Sequence, residues 1–247
     1  MSATMLSRRQ ALGMIGTLGA AAAACGSAPT SPTAGAAPTT SAATPSTTAS
    51  TSAPTTGASN ACVVSPSETA GPFPSLNQLF RSDIREGRSG VPLLLGLSVV
   101  NVNASCSPVA NANVEIWQCD AEGHYSEYSA GGYDGRAQTF LRGMQTTDAA
   151  GRVTFTTVYP GWYQGRATHI HIEVKVGGRS VKVTQIAFPE SLNAQVYASG
   201  VYASRGKNPI SNLGDMVFAD SLSSELAVLT GDPAAGYQGT YTVGIAV

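Results

Sequence analysis

The sequence predicts a mostly β protein, a β-sandwich with short helices and long loops. Three observations lead there. Short runs rich in β-branched and aromatic residues recur from Leu93 to the last residue, with Gly, Pro, Asn and Asp turn signals between them. One run, Thr168 to Val176, alternates strictly: Ile170, Ile172, Val174 and Val176 share one face, and His169, His171, Glu173 and Lys175 share the other. Only Pro189 to Ala198 and Ser221 to Leu229 carry helical patterns, and no internal repeat is present.

In chain order, residues 1–25 read as an export signal. Ser7-Arg8-Arg9-Gln10 precedes an apolar run from Ala11 to Ala24, too short to span a bilayer. The paired arginines resemble a twin-arginine signal. Ala22-Ala23-Ala24-Cys25-Gly26 resembles a bacterial lipobox, so Cys25 is the expected lipidation site. The expected location is therefore outside the cell, anchored on the outer face of the membrane, with plain secretion as the alternative. Residues 26–60 are almost entirely Ala, Ser, Thr, Pro and Gly, a composition that cannot bury a core and predicts a disordered linker.

The expected domain is 61–247. Removing the first 60 residues from 247 leaves 187, enough for one sizeable core. Arg8 and Arg9 are the only charges in the leader and linker, so 12 of the 14 basic residues face 15 acids, a formal −3. Nothing in that balance points to nucleic acid. Cys62, Cys106 and Cys119 predict one disulfide and one free thiol, with the pairing open. The strand candidates are Leu93 to Asn103, Asn113 to Asp120, Phe140 to Thr146, Arg152 to Tyr159, Thr168 to Val176, Ser180 to Phe188 and Thr240 to Val247.

The chemistry concentrates between Tyr163 and His171, where a phenol, the Arg166 guanidinium and two imidazoles fall within nine positions. Period 2 puts His169 and His171 on one side of a strand, close enough for both rings to reach one metal ion. The chain has only three histidines, so such a site needs other ligands. Tyr125 and Tyr163 are candidates. Two imidazoles with two phenolates suit a hard trivalent ion, because a phenol of pKa about 10 ionises at neutral pH only against a high charge.

The pattern Tyr163-x-x-Arg166-x-x-His169-x-His171, preceded by Trp117-Gln118-Cys119-Asp120-Ala121-Glu122-Gly123-His124-Tyr125, resembles the exported branch of the intradiol ring-cleavage dioxygenases of catechols. Ser67 to Phe73, Phe80 to Gly87, Thr147 to Gly151 and Thr184 to Pro189 extend the resemblance over about Cys62 to Phe218. It implies an intradiol-type β-sandwich and a non-haem Fe(III) held by Tyr125, Tyr163, His169 and His171. It implies O2 as co-substrate, a catechol-type aromatic diol as substrate, and a muconate-type diacid as product. It further implies that Tyr163 leaves the metal when substrate binds, that Arg166 stabilises developing negative charge, and that Gln185 positions the ring. The family often dimerises, so a homodimer is also expected.

Two other readings stay open on the sequence. His169, His171 and Glu173 could form a two-histidine, one-carboxylate site for ferrous iron. An exported transthyretin-like β-sandwich could bind carbohydrate or a cell-surface partner without catalysis. His124 and Tyr128 read as loop residues, and Gly71-Pro72-Phe73 as part of the pocket rim.

Overall fold

The structure, a computed structural model, describes residues 62–247. The leader, Cys25 and the linker lie outside the described residues.

The frame starts with β1, Pro92–Asn101, whose alternation buries Leu93, Leu95, Leu97 and Val99 on one face. It lies parallel to β11, Gly236–Ile245, although the two are the first and last long strands. On its other side β1 pairs antiparallel with β7, Arg152–Val158, and with the two-residue β2, Ser107–Pro108. Beside β11 lies β10, Val228–Asp232, which completes a five-stranded sheet.

The second sheet has the order β6-β3-β8-β9, with β3 at Asn113–Trp117, β6 at Arg142–Thr146, β8 at His169–Val176 and β9 at Arg179–Ala187. Its inner face contributes Val114, Ile116, Ile170, Ile172, Val174 and Ile186 to the core that the first sheet also faces. A sandwich is how two half-apolar sheets bury their apolar faces together. A small hairpin, β4 (Ser129–Ala130) and β5 (Tyr133–Asp134), turns through Gly131 and Gly132, both at positive φ.

Helix is sparse, as expected. The first helix, α1, spans Glu190–Tyr197; the second, α2, is only Leu222–Glu225. The helical expectation to Leu229 fails because Val228 to Asp232 pair with β11. The Asp232 Oδ1 accepts from Ala234 N and Ala235 N, and that turn closes the hairpin.

The disulfide joins Cys62 to Cys106, and Cys119 is the buried free thiol among the described cysteines. From Cys62 an extended strap crosses the second sheet, anchored by Ser65 N to Gly244 O and Glu68 N to Val183 O. The strap and its neighbours cover the His face of β8, where His169 and His171 are 2% and 1% exposed.

Candidate active site

Register builds the site. On β8, His171 lies opposite Trp117 of β3 on one side and Gln185 of β9 on the other. The indole of Trp117 stacks on the His171 ring, centroids 4.8 Å apart and 4° from parallel. The strap brings Gly71 against the same ring; a Cβ there would lie 3.0 Å from His171 Cε1. His169 is fixed through Nδ1, which is 2.7 Å from Ala167 O. That nitrogen must carry the proton, which leaves the Nε2 lone pair facing inward.

Tyr125 arrives by a turn. Asp120 Oδ1 accepts from Glu122 N (3.0 Å) and His124 N (2.8 Å), and Gly123 takes the positive φ the turn requires. The phenol is 4% exposed and reaches His169 Nε2 at 3.4 Å. Tyr163 comes from a second turn, in which Arg166 N donates to Tyr163 O across Gly165. Its ring is half-buried, 5.5 Å from Tyr125 and 5.6 Å from His169 between centroids. Phe73 of the strap stacks on Tyr125 at 4.7 Å and meets Tyr163 edge-on at 5.9 Å.

Arg166 is held from three directions. Its Nε donates to Asp215 Oδ2 at 2.8 Å, its Nη2 to Gln185 Oε1 at 2.7 Å, and its carbonyl accepts from Asn208 Nδ2 at 3.0 Å. Asp215 also takes the Ala167 N–H at 2.5 Å, and Gln185 passes its amide to Thr69 O at 2.8 Å. The cation is therefore aimed rather than free to swing.

These surroundings set the charge states. Burial, then the neighbouring Arg166, holds the His169 imidazolium down to about 3, and burial with His169 drives His171 down as well. Both rings are neutral donors at any ordinary pH. Burial pushes the Tyr125 phenol well up and Tyr163 less far, with Arg166 opposing the rise at Tyr163. The two Nε2 atoms stand 3.1 Å apart. Two neutral nitrogen donors converging beside a buried phenol, with a second phenol at the rim, form a donor set that fits a hard, highly charged metal ion.

The residues predicted for the metal and catalytic site, Tyr125, Tyr163, Arg166, His169, His171 and Gln185, fall in this one neighbourhood. Glu173 does not join them: its carboxylate turns to Lys175 Nζ at 3.1 Å and does not complete a two-histidine site. Among the described residues the one cluster of His, Cys, Asp and Glu donors is Asp120, Glu122 and His124. Asp120 there is committed to its turn and to Arg88, and His124 stacks on Tyr133. The residues missed from sequence are Asp215, Asn208, Thr69 and Trp117 as site-builders. Of these, Trp117 and Thr69 lie in segments that carried the resemblance, and Asp215 and Asn208 carried no local signal.

The family model described as Dioxygenase matches residues 73–207. The chain is 30% identical over 123 residues to 6-chlorohydroxyquinol 1,2-dioxygenase of Cupriavidus pinatubonensis, with 42% of each chain covered. It is 33% identical over 112 residues to catechol 1,2-dioxygenase of Candida albicans, covering 37% of this chain and 36% of that one. The chain thus spans less than half the length of these curated relatives. Among solved structures, an intradiol ring-cleavage dioxygenase from Tetranychus urticae is 30% identical, TM-score 0.68, over 75% of this chain and 95% of that one. The dioxygenase domain of a carbohydrate-binding fusion protein from Streptomyces sp. SirexAA-E is 27% identical, TM-score 0.55, over 75% and 99%. With more than half of its length inside the family match and a solved relative aligned along three quarters of it, the chain belongs to the intradiol ring-cleavage dioxygenase family.

Proposed function

We propose that the protein opens the ring of a catechol-type diol between its two hydroxyl-bearing carbons. Both atoms of O2 enter a muconate-type diacid. The observation that carries this reading is the meeting of two neutral imidazoles and two phenols beside a clamped guanidinium. A non-haem Fe(III) held by Tyr125, Tyr163, His169 and His171 would supply the charge that chelates both diol oxygens and makes the ring reactive toward O2.

The chain's own residues divide the remaining work. Tyr163, half-buried at the rim, is the phenol placed to leave, and as a phenolate its oxygen would take a diol proton. Tyr125, packed under Phe73, stays in place. Arg166 presents a fixed positive charge where negative charge grows on the substrate, and Gln185 holds both that guanidinium and the strap. The covered pocket also limits access of bulk water.

Purified, iron-loaded protein is expected to be red to burgundy from phenolate-to-iron charge transfer and to consume O2 with at least one simple catechol. Tyr163→Phe should weaken the colour and lower the rate by at least about tenfold. A colourless iron-replete protein, or no O2 uptake across a panel of catechols, would overturn the reading. The N-terminal reading joins it: export with anchoring through Cys25 would put the enzyme outside the cell, where environmental aromatic diols are met. Among the described residues no helix is long and apolar enough to cross a membrane.

A further inference from the structure

Three arginines around the site each have a carboxylate: Arg88 has Asp120, Arg142 has Glu127 and Arg166 has Asp215. Arg205 has none among the described residues. Its guanidinium lies 4.1 Å from the Trp162 ring centroid, and the side chain is half-buried. The loop that carries it is pinned twice. Trp162 Nε1 donates to Gly206 O at 3.1 Å, and Asn208, three residues after Arg205, donates to the Arg166 carbonyl. The guanidinium also closes on the backbone of Gly123, two residues before Tyr125. Trp162 itself precedes Tyr163. The Arg205 charge is felt by the Cys119 thiol, which packs with Tyr125 and Tyr163. The guanidinium thus stacks on an indole beside the turns that carry Tyr125 and Tyr163, with no carboxylate partner among the described residues.

We infer that Arg205, stacked on Trp162 beside Tyr163, is a subsite for an acidic substituent of the substrate, so that the preferred diols are catechols carrying a carboxylate on a short side chain. A planar guanidinium suits this task, because it offers two parallel N–H donors to a carboxylate while its face stays on the indole. Lys207, exposed on the same loop, adds positive charge on approach. The inference rests on the catechol-cleaving reading above.

The test compares dihydrocaffeate with propylcatechol, which has the same chain length but no charge. Wild-type kcat/KM should favour the acid by roughly tenfold or more, the worth of one charge-assisted contact. Arg205→Gln should bring that ratio near one, and Arg205→Lys should keep part of it. No preference in the wild type, or an undiminished preference in Arg205→Gln, would overturn the inference and leave Arg205 as a cover for Trp162. A second readout does not need turnover: phenylpropanoate, an acid without the diol, should quench Trp162 fluorescence in the metal-free protein and bind roughly tenfold more weakly to Arg205→Gln. Equal binding to both proteins would count against the subsite. Failure of both catechols to react, with phenylpropanoate binding intact, would instead count against the catalytic reading.

Discussion

At Gly71 the backbone sits at φ +68°, and a Cβ would press to 3.0 Å from His171 Cε1. Two constraints coincide there: left-handed backbone that L side chains resist, and close approach to a ring already stacked on Trp117 at 4.8 Å. Gly87 shares only the first, with φ +75° and nothing within 4 Å of a Cβ. Gly71→Ala and Gly87→Ala should therefore both lose about 1 kcal/mol of stability. On the proposed ferric reading, only Gly71→Ala should also lose iron, measured as metal per protein after reconstitution and dialysis. Equal iron content in the two variants would show that the His171 contact does not govern the site. The imidazoles were legible because alternation places them without long-range information. Asp215 was not: it meets Arg166 across 49 residues, and no local spacing announces a buried ion pair of that separation.

Elements were read best where a periodic pattern had one apolar face. The strands β3, β7, β8 and β9 fall close to their expected positions, within the boundary uncertainty usual for pattern reading. Ser221 to Leu229 was misread because a short apolar run fits either period, and pairing with β11 decides it for Val228 onward. What remains helical, α2, carries a testable consequence. Glu225 is fully buried, accepts from Ser221 Oγ at 2.6 Å, and is pushed up to about 7 by burial, with Glu68, Asp220 and Asp215 adding to the rise. Its folded pKa lies above its unfolded one, so the native state holds the proton longer. Its contribution is complete below about pH 4.5 and is lost as pH rises through about 7. Wild-type protein should lose on the order of 2 to 3 kcal/mol from this group between pH 5 and 8. Glu225→Gln should flatten that part of the profile. Denaturant midpoints at the two pH values decide it, and identical slopes in both proteins would remove Glu225 as the cause.

Across the whole molecule, two sheets supply the frame and the strap from Cys62 supplies the lid. The pairing of β1 with β11 is parallel and joins distant parts of the chain, so nothing in either strand's own pattern predicted it. The strap's path was equally hidden, being irregular chain whose contacts are mostly backbone. Ser65 N bonds Gly244 O, Lys182 Nζ bonds Ser65 O at 2.7 Å, and Glu68 N bonds Val183 O, so the strap is held on both sheets before it reaches the site. The Cys62–Cys106 bridge lies upstream of all these anchors and closes 44 residues of separation. Its effect should therefore fall on the unfolded chain rather than on the pocket. Loop-closure entropy puts the contribution at about 4 kcal/mol. In a Cys25→Ser background, Cys62→Ser with Cys106→Ser should lower the unfolding free energy by up to that amount. Iron content and visible colour per folded molecule should stay as in the parent. Cys119, buried and with its thiol pushed up by burial, should stay unreactive to a thiol reagent until the protein unfolds. Loss of iron in the bridge variant under native conditions would show the opposite, that the strap depends on its disulfide to keep Gly71 and Phe73 over the site.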